Sequence, residues 1–292
     1  MAGVGRRGGL LPRISIVTPS FNQGPFVEWT VRSVLLQGYP DLEYVVMDGG
    51  SSDDTMARLE PYRDRLHHLE SVRDGGQADA LARGFERTTG EIMAYLNSDD
   101  VLAPGALEFV AAFFERNPFI DVVYSHRCRI DAQGTVIGYW VLPPHLDYLM
   151  LRWDLIPQET CFWRRRLFER AGPIDRTLHF AIDYDLFVRF MAHGRLARAN
   201  RFLGAFREHG DAKTTRIERT VGKEEVERIR NRYAIEVGSN GDYLGDTFLR
   251  FVRRAGERHA AAARVLPGAL PGIGYGYDDV WGGRLAQGPL GS

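Results

Sequence analysis

The segment Glu91-Ile-Met-Ala-Tyr-Leu-Asn-Ser-Asp-Asp100 joins a short apolar run to a pair of carboxylates. An apolar run of this length is typical of a strand that is covered on both faces. Similar runs occur at Ile14-Ser-Ile-Val-Thr18 and Glu43-Tyr-Val-Val-Met47, with a weaker one near 66–72. Segments with helical spacing separate and follow them, at about 25–38, 53–65, 77–88 and 104–117. This alternation predicts an α/β fold with a mostly parallel central sheet and helices on both faces.

The pattern changes after residue 120. Asp121-Val-Val-Tyr-Ser125 predicts a strand, and the alternating segments Arg127–Asp131 and Thr135–Trp140 predict a hairpin. Helices are predicted at about 182–194, 220–236 and 243–264. We expect a flexible N-terminus at 1–12, a main domain at 13–215, C-terminal helices at 216–266 and a Gly/Pro-rich tail at 267–292. The tail ends in Gly288-Pro-Leu-Gly-Ser292, which is expected to be a cloning remnant.

Composition excludes several classes of protein. Lys and Arg total 37 against 38 Asp and Glu, and this balance argues against a protein that grips nucleic-acid phosphates. The chain has no run of about 18 apolar residues and no signal-peptide pattern at its N-terminus. Cys128 and Cys161 form no CxxC pair, so buried, reduced cysteines of a cytosolic protein are expected. A GxGxxG match at Gly3–Gly8 precedes the first strand and therefore lacks the context of a dinucleotide site.

Acidic residues follow three of the predicted strands, namely Asp48, Asp74 and the pair Asp99 and Asp100. Any one of them could simply cap a turn or helix. In doubly wound sheets, however, ligands bind outside the carboxyl ends of the strands, so these side chains are expected to meet. Crowded carboxylates need a cation or hydrogen-bond donors among them. Oxygen ligands of this kind suit Mg²⁺ or Mn²⁺, with Asp99-Asp100 as the candidate metal site.

A second acidic pair, Asp183 and Asp185, stands at the start of a predicted helix. Their side chains lie about 200° apart around a helix axis, so they cannot both face one site. One is therefore expected to act chemically, while the other caps the helix or pairs with Arg189 at i+4.

Taken together and in this order, the motifs closely resemble those of inverting family 2 glycosyltransferases of the GT-A fold. The resemblance spans about residues 13–215 and is carried by the following segments: Thr18-Pro-Ser-Phe-Asn22, Asp48-Gly-Gly-Ser-Ser-Asp-Asp-Thr55, Asp74-Gly-Gly-Gln-Ala-Asp-Ala80, Leu96-Asn-Ser-Asp-Asp100, Pro157-Gln-Glu-Thr-Cys-Phe-Trp-Arg-Arg165, Asp183-Tyr-Asp-Leu-Phe-Val-Arg189 and Phe206-Arg-Glu-His-Gly-Asp-Ala-Lys-Thr214. It implies a Rossmann-like sheet with a nucleotide-sugar half at about 13–125 and an acceptor half at about 126–215.

The resemblance also implies roles for single residues. The nucleotide-sugar would be bound by Pro19, Ser20, Phe21, Asp48, Asp74, Gln77 and Asp99. Mn²⁺ or Mg²⁺ would be held by Asp100, Asp99 and His209, with Lys213 near the diphosphate. Asp183 matches the catalytic base, although Ile182 stands where the family often has Glu, which leaves Asp185 as the alternative.

The acceptor side is expected at Gln158, Glu159, Trp163 and Arg164. An exposed tryptophan can stack on a sugar and arginines can hold an anionic lipid-linked acceptor, whereas a buried tryptophan and a solvated arginine face explain the same residues. The basic amphipathic segment 243–264 can lie on an anionic bilayer or pack as a core or dimer helix. We therefore expect a cytoplasmic enzyme, and the first of these alternatives would place it at the inner face of the membrane.

The function expected from the resemblance is metal-assisted transfer of a sugar, with inversion, in the synthesis of bacterial polysaccharide or another glycoconjugate. A nucleotidyltransferase is one alternative, but it needs a basic, glycine-rich loop after the first strand. The loop here, Thr18-Pro-Ser-Phe-Asn-Gln-Gly24, contains no Lys or Arg. A non-catalytic module that binds nucleotide-sugars is the other alternative.

Overall fold

The computed structural model describes residues 11–210, 221–233 and 277–278. Its strands are β1 (Ile14–Ser20), β2 (Leu42–Asp48), β3 (His68–Ser71), β4 (Ile92–Tyr95), β5 (Val101–Leu102), β6 (Val122–Asp131), β7 (Val136–Trp140), β8 (Phe162–Arg164) and β9 (Leu196–Glu208). Its α-helices are α1 (Gly24–Leu35), α2 (Thr55–Leu59), α3 (Gln77–Phe85), α4 (Ala106–Arg116), α5 (Asp147–Trp153), α6 (Arg165–Ala171), α7 (Ile182–His193) and α8 (Lys223–Arg232). Short 3-10 helices occur at Glu60–Arg65 and Gln158–Thr160. The predicted helix at 243–264 lies outside the described residues.

The described strands form one sheet of nine strands in the order β3-β2-β1-β4-β8-β6-β9-β5, with β7 paired to β6. The first four strands run parallel, which confirms the predicted α/β architecture of this half. Beyond β4 the sheet is mixed, because β8 is antiparallel to both β4 and β6, whereas β6 and β9 are parallel. The predicted hairpin is the antiparallel pair β6 and β7.

Successive residues of the parallel strands pack into different cores. On β2, Tyr44 and Val46 face the core under α1 and α4, whereas Val45 and Met47 face the core under α3 and α7. Strand side chains alternate between the two faces of a sheet, so continuous apolar runs are buried on both faces. Packing of helices on both faces therefore fixes the parallel strands, and their carboxyl ends lie together at one edge of the sheet.

A third, smaller core lies between β5, β6, β7 and β9 and contains Tyr277. This residue belongs to the segment expected to be an extended tail, yet it is buried. Its backbone N–H donates to Gly134 O at 2.8 Å, and its hydroxyl donates to Leu102 O at 3.0 Å. It thereby joins the β6–β7 turn to β5. In the part of the chain that the structure describes, no helix is long and apolar enough to cross a bilayer.

Strand β9 was not predicted, because its sequence contains three arginines and no clean alternation of apolar residues. The structure gives each of these arginines a partner that local sequence does not reveal. Arg201 lies over the Phe109 ring at 4.7 Å, Arg198 donates to Pro143 O, and Arg207 donates to Asp99 O. Tertiary partners of this kind override the low strand propensity of a charged segment.

Buried His126 on β6 predicts a pH-dependent stability. Its Nδ1 accepts the Leu142 N–H at 3.1 Å and its Nε2 lies 2.9 Å from Asn200 Oδ1, so the ring is neutral. Burial, with a contribution from Arg198, lowers the pKa of His126 to about 4. The unfolded chain binds this proton near pH 6.5, so the stabilisation is complete above that pH and is lost as the pH falls toward 4. We expect the free energy of unfolding to fall by about 3 kcal/mol over this range.

Urea denaturation at several pH values between 7 and 4 measures this effect. In His126→Gln the part of the slope due to His126 should disappear. Equal slopes in the variant and the parent protein would contradict the assignment.

Glu43 contributes to stability over a different pH range. Burial opposes its charge, but hydrogen bonds from Thr89, Ser15 and Gly90 outweigh burial and lower the pKa of Glu43 to about 2. Its contribution is therefore lost at lower pH than that of His126.

Candidate active site

The carboxyl ends of β1 and β2 lie side by side and bring Asp48 close to Asp74. Ser20 pairs in register with Asp48, and the Gly49 N–H donates to Ser20 O at 2.8 Å. A Cβ atom on Gly49 would lie 3.1 Å from Asp74 Oδ1, so the Asp74 carboxylate lies unusually close to the backbone at this glycine. Burial, and then the charges of Asp79 and Asp48, raise the pKa of Asp74.

The carboxylate of Asp48 is buried and organises the loop that follows it. Oδ2 accepts the N–H groups of Gly50 and Ser51 at 3.1 and 2.9 Å and the Ser71 hydroxyl at 2.6 Å. Oδ1 accepts the Ser51 hydroxyl at 2.5 Å. Asp48 therefore holds β2, β3 and the intervening loop in place.

A second contact links this region to the loop after β4. Gln77, the first residue of α3, donates from Nε2 to Asn97 Oδ1 at 2.8 Å. Asn97 begins the loop that carries Asp99 and Asp100. These contacts connect the loops that carry Asp48, Asp74 and the Asp99–Asp100 pair along one edge of the sheet, which is here called the rim.

The three residues at the carboxyl end of β1 differ in how far their side chains are exposed to solvent. Pro19 is buried within β1, whereas the Phe21 side chain is 60% exposed. Ser20 is 5% exposed, and its Oγ has no hydrogen-bond partner among the residues that the structure describes. A buried hydroxyl normally finds a partner, so Ser20 is suited to bind a ligand or a water molecule at this rim.

Asp99 and Asp100 occupy different environments. Asp99 Oδ2 lies 3.1 Å from His209 Nε2, and the Asp99 side chain is 19% exposed. Asp100 is 1% exposed, and its Oδ1 accepts the Arg207 N–H at 2.9 Å. Burial, followed by the charges of Asp99 and Glu159, raises the pKa of Asp100 well above its ordinary value. A cation near this pair would relieve the repulsion.

Arg207 on β9 anchors the Asp99–Asp100 loop from below. Its Nε donates to Asp99 O at 2.8 Å and its Nη1 to Asp131 O at 3.1 Å. The guanidinium lies 5.2 Å from the centre of the Phe26 ring and 5.0 Å from that of Trp29. The sequence did not single out Arg207, since it lies in the unpredicted strand β9.

Arg127 on β6 is a second cation that the sequence analysis missed. It forms a two-pronged ion pair with buried Glu159, with both N–O distances at 2.8 Å, between the rings of Trp140 and Phe206. Burial opposes its charge, but Glu159, and then Asp100 and Asp183, raise the pKa of Arg127 overall. Arg127 is therefore a fixed positive charge that interacts electrostatically with the carboxylates of Asp100 and Asp183.

Asp183 stands in the first turn of α7, half-buried, and its Oδ1 accepts the Tyr184 N–H at 2.9 Å. Its charge acts on Tyr95 at the end of β4, where burial and then Asp183 raise the tyrosine pKa. Asp185 is 1% exposed and accepts two hydrogen bonds from Arg189, at 2.9 and 2.8 Å. Of the two carboxylates, Asp185 forms the i+4 pair that the spacing allowed.

The predicted acceptor residues do not form an exposed surface. Trp163 is completely buried and packs against Phe85 and Phe190, so the sugar-stacking role expected for it is wrong. Arg164 pairs with Ile92 at the start of β4 and donates to Ile120 O and Phe114 O, so the prediction for it is also wrong. It lies at the sheet edge opposite Asp99.

The other two predicted acceptor residues lie at the correct end of β4 but are buried. Gln158 donates to Tyr95 O at 2.6 Å, and Glu159 holds Arg127. Both residues are buried under the site and hold other residues in place. The prediction that they lie on the acceptor surface is therefore wrong. Lys213 lies outside the described residues.

The burial of Trp163 predicts a large effect on stability. Trp163→Ala removes a fully buried ring from the core, and we expect it to lower the free energy of unfolding by about 3–5 kcal/mol. Urea denaturation measures this loss. As a control, Phe119→Ala removes a ring that is 75% exposed and should change stability by less than about 0.5 kcal/mol. A stable Trp163→Ala protein with impaired acceptor use would instead favour the sugar-stacking role.

Comparison with known proteins shows related sequences and folds. An uncharacterised glycosyltransferase of Rickettsia typhi is 26% identical over 212 residues, which cover 70% of this chain and 66% of that protein. Chondroitin synthase of Pasteurella multocida is 25% identical over 204 residues, which cover 69% of this chain and 21% of the synthase. The chain thus spans less than two thirds of the length of these relatives.

Solved structures of other proteins share the fold. S. aureus TarS in complex with UDP-GlcNAc superimposes with a TM-score of 0.60 at 18% identity, covering 70% of this chain and 61% of that one. A mannosyltransferase from Pyrobaculum calidifontis, in complex with GDP-Man and Mn²⁺, gives 0.59 at 19% identity, covering 90% and 77%. The model of the family described as "Glycosyl transferase family 2" matches residues 15–193, more than half of the chain, and the protein therefore belongs to this family of glycosyltransferases.

Proposed function

We propose that this glycosyltransferase moves a sugar from a nucleoside-diphosphate sugar to an acceptor hydroxyl, with inversion at the anomeric carbon. The observation that carries the proposal is the acidic rim, on which Asp99 Oδ2 lies 3.1 Å from His209 Nε2 and Gln77 links the end of the loop that carries Asp74 to Asn97. Family membership supports the reaction class. TarS with UDP-GlcNAc and the mannosyltransferase with GDP-Man show that this fold accommodates such donors in other proteins.

The nucleoside is assigned to the end of the rim formed by β1, β2 and α3. Phe21 offers an exposed ring for stacking on a base, and Ser20 offers a buried hydroxyl. The carboxylate of Asp74 can accept hydrogen bonds from a base or from ribose hydroxyls. Asp48 supports this pocket by holding its loop, and Gln77 joins it to the loop of Asp99.

The donor diphosphate is assigned to the Asp99–His209 end of the rim, together with Mn²⁺ or Mg²⁺. One carboxylate oxygen and one imidazole nitrogen, 3.1 Å apart on separate loops, fit a cation that keeps open positions for phosphate oxygens. Within the described ranges, no three acidic, histidine or cysteine side chains form a closed cage. A bound divalent cation would stabilise the negative charge that develops on the leaving diphosphate.

Asp183 is the proposed general base. A hydroxyl is a poor nucleophile at neutral pH, so its proton must be removed as the new bond forms. The proton moves from the acceptor oxygen to a carboxylate oxygen of Asp183, while the bond between the anomeric carbon and the diphosphate oxygen breaks. Attack from the face opposite the leaving group inverts the anomeric centre. Arg127, fixed by Glu159, stabilises the negative charge of this region.

The acceptor is proposed to be a glycan or a lipid-linked saccharide in the synthesis of bacterial polysaccharide or another glycoconjugate. The bacterial relatives named as chondroitin synthase and hyaluronan synthase favour this class. The whole-protein activity of those relatives involves much more chain than is present here, because the match covers only 21% of their length.

A panel of nucleotide-sugars with MnCl₂ tests the proposed function. UDP-GlcNAc, UDP-glucose and GDP-mannose are incubated with the protein, and the products are separated by chromatography. We expect release of nucleoside diphosphate from at least one donor, and NMR of the released sugar should show the inverted anomer. Release of pyrophosphate from sugar phosphate and nucleoside triphosphate would favour a nucleotidyltransferase. Binding of a donor without turnover would favour a non-catalytic module.

A further inference from the structure

Helix α8 lies beyond residues 15–193, which the family model matches, yet it packs against the first turn of α7, where Asp183 stands. The first turn of a helix has N–H groups with no partner inside the helix, and a side chain at the N-cap usually satisfies one of them. The N-cap residue of α7 is Ala181, which has no side chain for this purpose. The N–H groups of the segment just before this turn, those of residues 179–181, find their acceptor on α8.

That acceptor is the buried carboxylate of Glu225. Oε1 accepts the His179 N–H at 2.8 Å, and Oε2 accepts the N–H groups of Phe180 and Ala181 at 2.8 and 2.9 Å. A negative charge at a helix N-terminus is also favoured by the helix dipole. Although burial opposes ionisation, these three N–H groups lower the pKa of Glu225. The backbone that leads into Asp183 is thus held by one side chain from another helix.

Other contacts fix α8 in the same place. Ile229 is completely buried in the core, and Arg230 donates from Nη2 to Arg152 O at 2.7 Å. The Arg230 Nε lies 3.4 Å from the Tyr184 hydroxyl, which donates to Leu151 O at 2.5 Å. Helices α5, α7 and α8 are therefore tied together around the residue that follows Asp183. A carboxylate that is placed by such a network has little freedom to drift.

We propose that Glu225 is a positioning residue for the catalytic base. It fixes the backbone of residues 179–181 and, through the first turn of α7, the carboxylate of Asp183. This inference rests on the proposed role of Asp183. Productive proton transfer needs the base within hydrogen-bond reach of the acceptor oxygen, and misplacement by about 1 Å can cost roughly 100-fold in rate. Part of the active-site machinery of this chain then lies outside the segment that defines its family.

Donor hydrolysis, in which water replaces the acceptor, tests the proposal with UDP-GlcNAc, UDP-glucose and GDP-mannose in MnCl₂. We expect Glu225→Ala to lower kcat by about 10- to 100-fold while the KM for the donor changes less than twofold. Glu225→Asp, which keeps the charge, should recover part of the rate. Glu227→Gln changes a side chain on the same helix that is 59% exposed, and it should match the parent protein. A folded Glu225→Ala protein with the parent kcat would overturn the proposal.

A double variant separates positioning from general structural damage. If Glu225 acts through Asp183, Asp183→Asn combined with Glu225→Ala should be no slower than Asp183→Asn alone. A further 10-fold loss in the double variant would overturn the positioning role. If Glu225→Ala does not fold, Glu225→Gln takes its place in both assays, because it keeps the length of the side chain and one acceptor oxygen.

The two proposals fail in different ways. An inactive Asp183→Asn protein beside a fully active Glu225→Ala protein would overturn only the role of Glu225. Parent-level turnover in Asp183→Asn itself would overturn the base assignment and the inference that rests on it. No turnover of any donor by the parent protein would count against the proposed function as a whole.

Discussion

Asp183→Asn should reduce sugar transfer by roughly 10²- to 10⁴-fold, the range that a positioned general base contributes. The amide has nearly the shape of the carboxylate and can still accept the Tyr184 N–H, so the first turn of α7 should remain intact. The binding of UDP or GDP should change less than twofold, because the nucleoside is assigned to the other end of the rim. Turnover measures the first effect and titration calorimetry the second.

Asp185→Asn is the matched control, because Asp185 is the alternative base in the same helical turn. Asp185 is buried and paired with Arg189, so removing its charge leaves that arginine without its ionic partner. We expect this variant to lose about 3 kcal/mol of stability, while its folded fraction keeps turnover within a few-fold. The reverse pattern, with a stable and inactive Asp185→Asn and an active Asp183→Asn, would exchange the two roles.

Removal of divalent cations should abolish turnover. EDTA should lower turnover at least 100-fold, and excess MnCl₂ or MgCl₂ should restore it, since the leaving diphosphate then regains its charge stabilisation. Asp99→Asn and His209→Gln should each raise the concentration of Mn²⁺ needed for half-maximal activity by 10-fold or more. Both effects are measured as initial rates against metal concentration.

A control variant separates the loss of metal binding from a general effect of removing a carboxylate. Asp79→Asn removes another carboxylate near the rim that is not assigned to the metal, and its Mn²⁺ dependence should match that of the parent protein. Full activity in EDTA, or an unchanged Mn²⁺ requirement in both Asp99→Asn and His209→Gln, would contradict the assignment of the cation to this pair.

The sequence predicted the parallel half of the fold because its strands are apolar on both faces and their ends carry recognisable turns. Asp48, Asp74 and Asp99 could be placed on one rim because the carboxyl ends of neighbouring parallel strands share one sheet edge. The order of the motifs then indicated the family. These inferences need only local patterns and a general rule of sheet topology.

The remaining features depend on contacts between distant segments, which local patterns do not show. Trp163 follows a motif at the rim, but β8 runs antiparallel to β4 and carries the ring into the core. Arg127 and Arg207 resemble surface arginines in the sequence, and only the pairing of β6 with β9 brings them beneath the carboxylates. Glu225 belongs to the helix predicted at about 220–236, and its role becomes visible only once α8 lies against α7.

Calorimetric titration of UDP and GDP into the protein, with and without MnCl₂, tests most directly whether the acidic rim binds a nucleoside diphosphate together with a cation. We expect one of the two nucleotides to bind with Mn²⁺ present, at least 10-fold more weakly in EDTA, and more weakly again in Asp74→Asn. If neither nucleotide binds in MnCl₂, or if binding is the same in Asp74→Asn and in EDTA as in the parent protein, the rim is not the donor site.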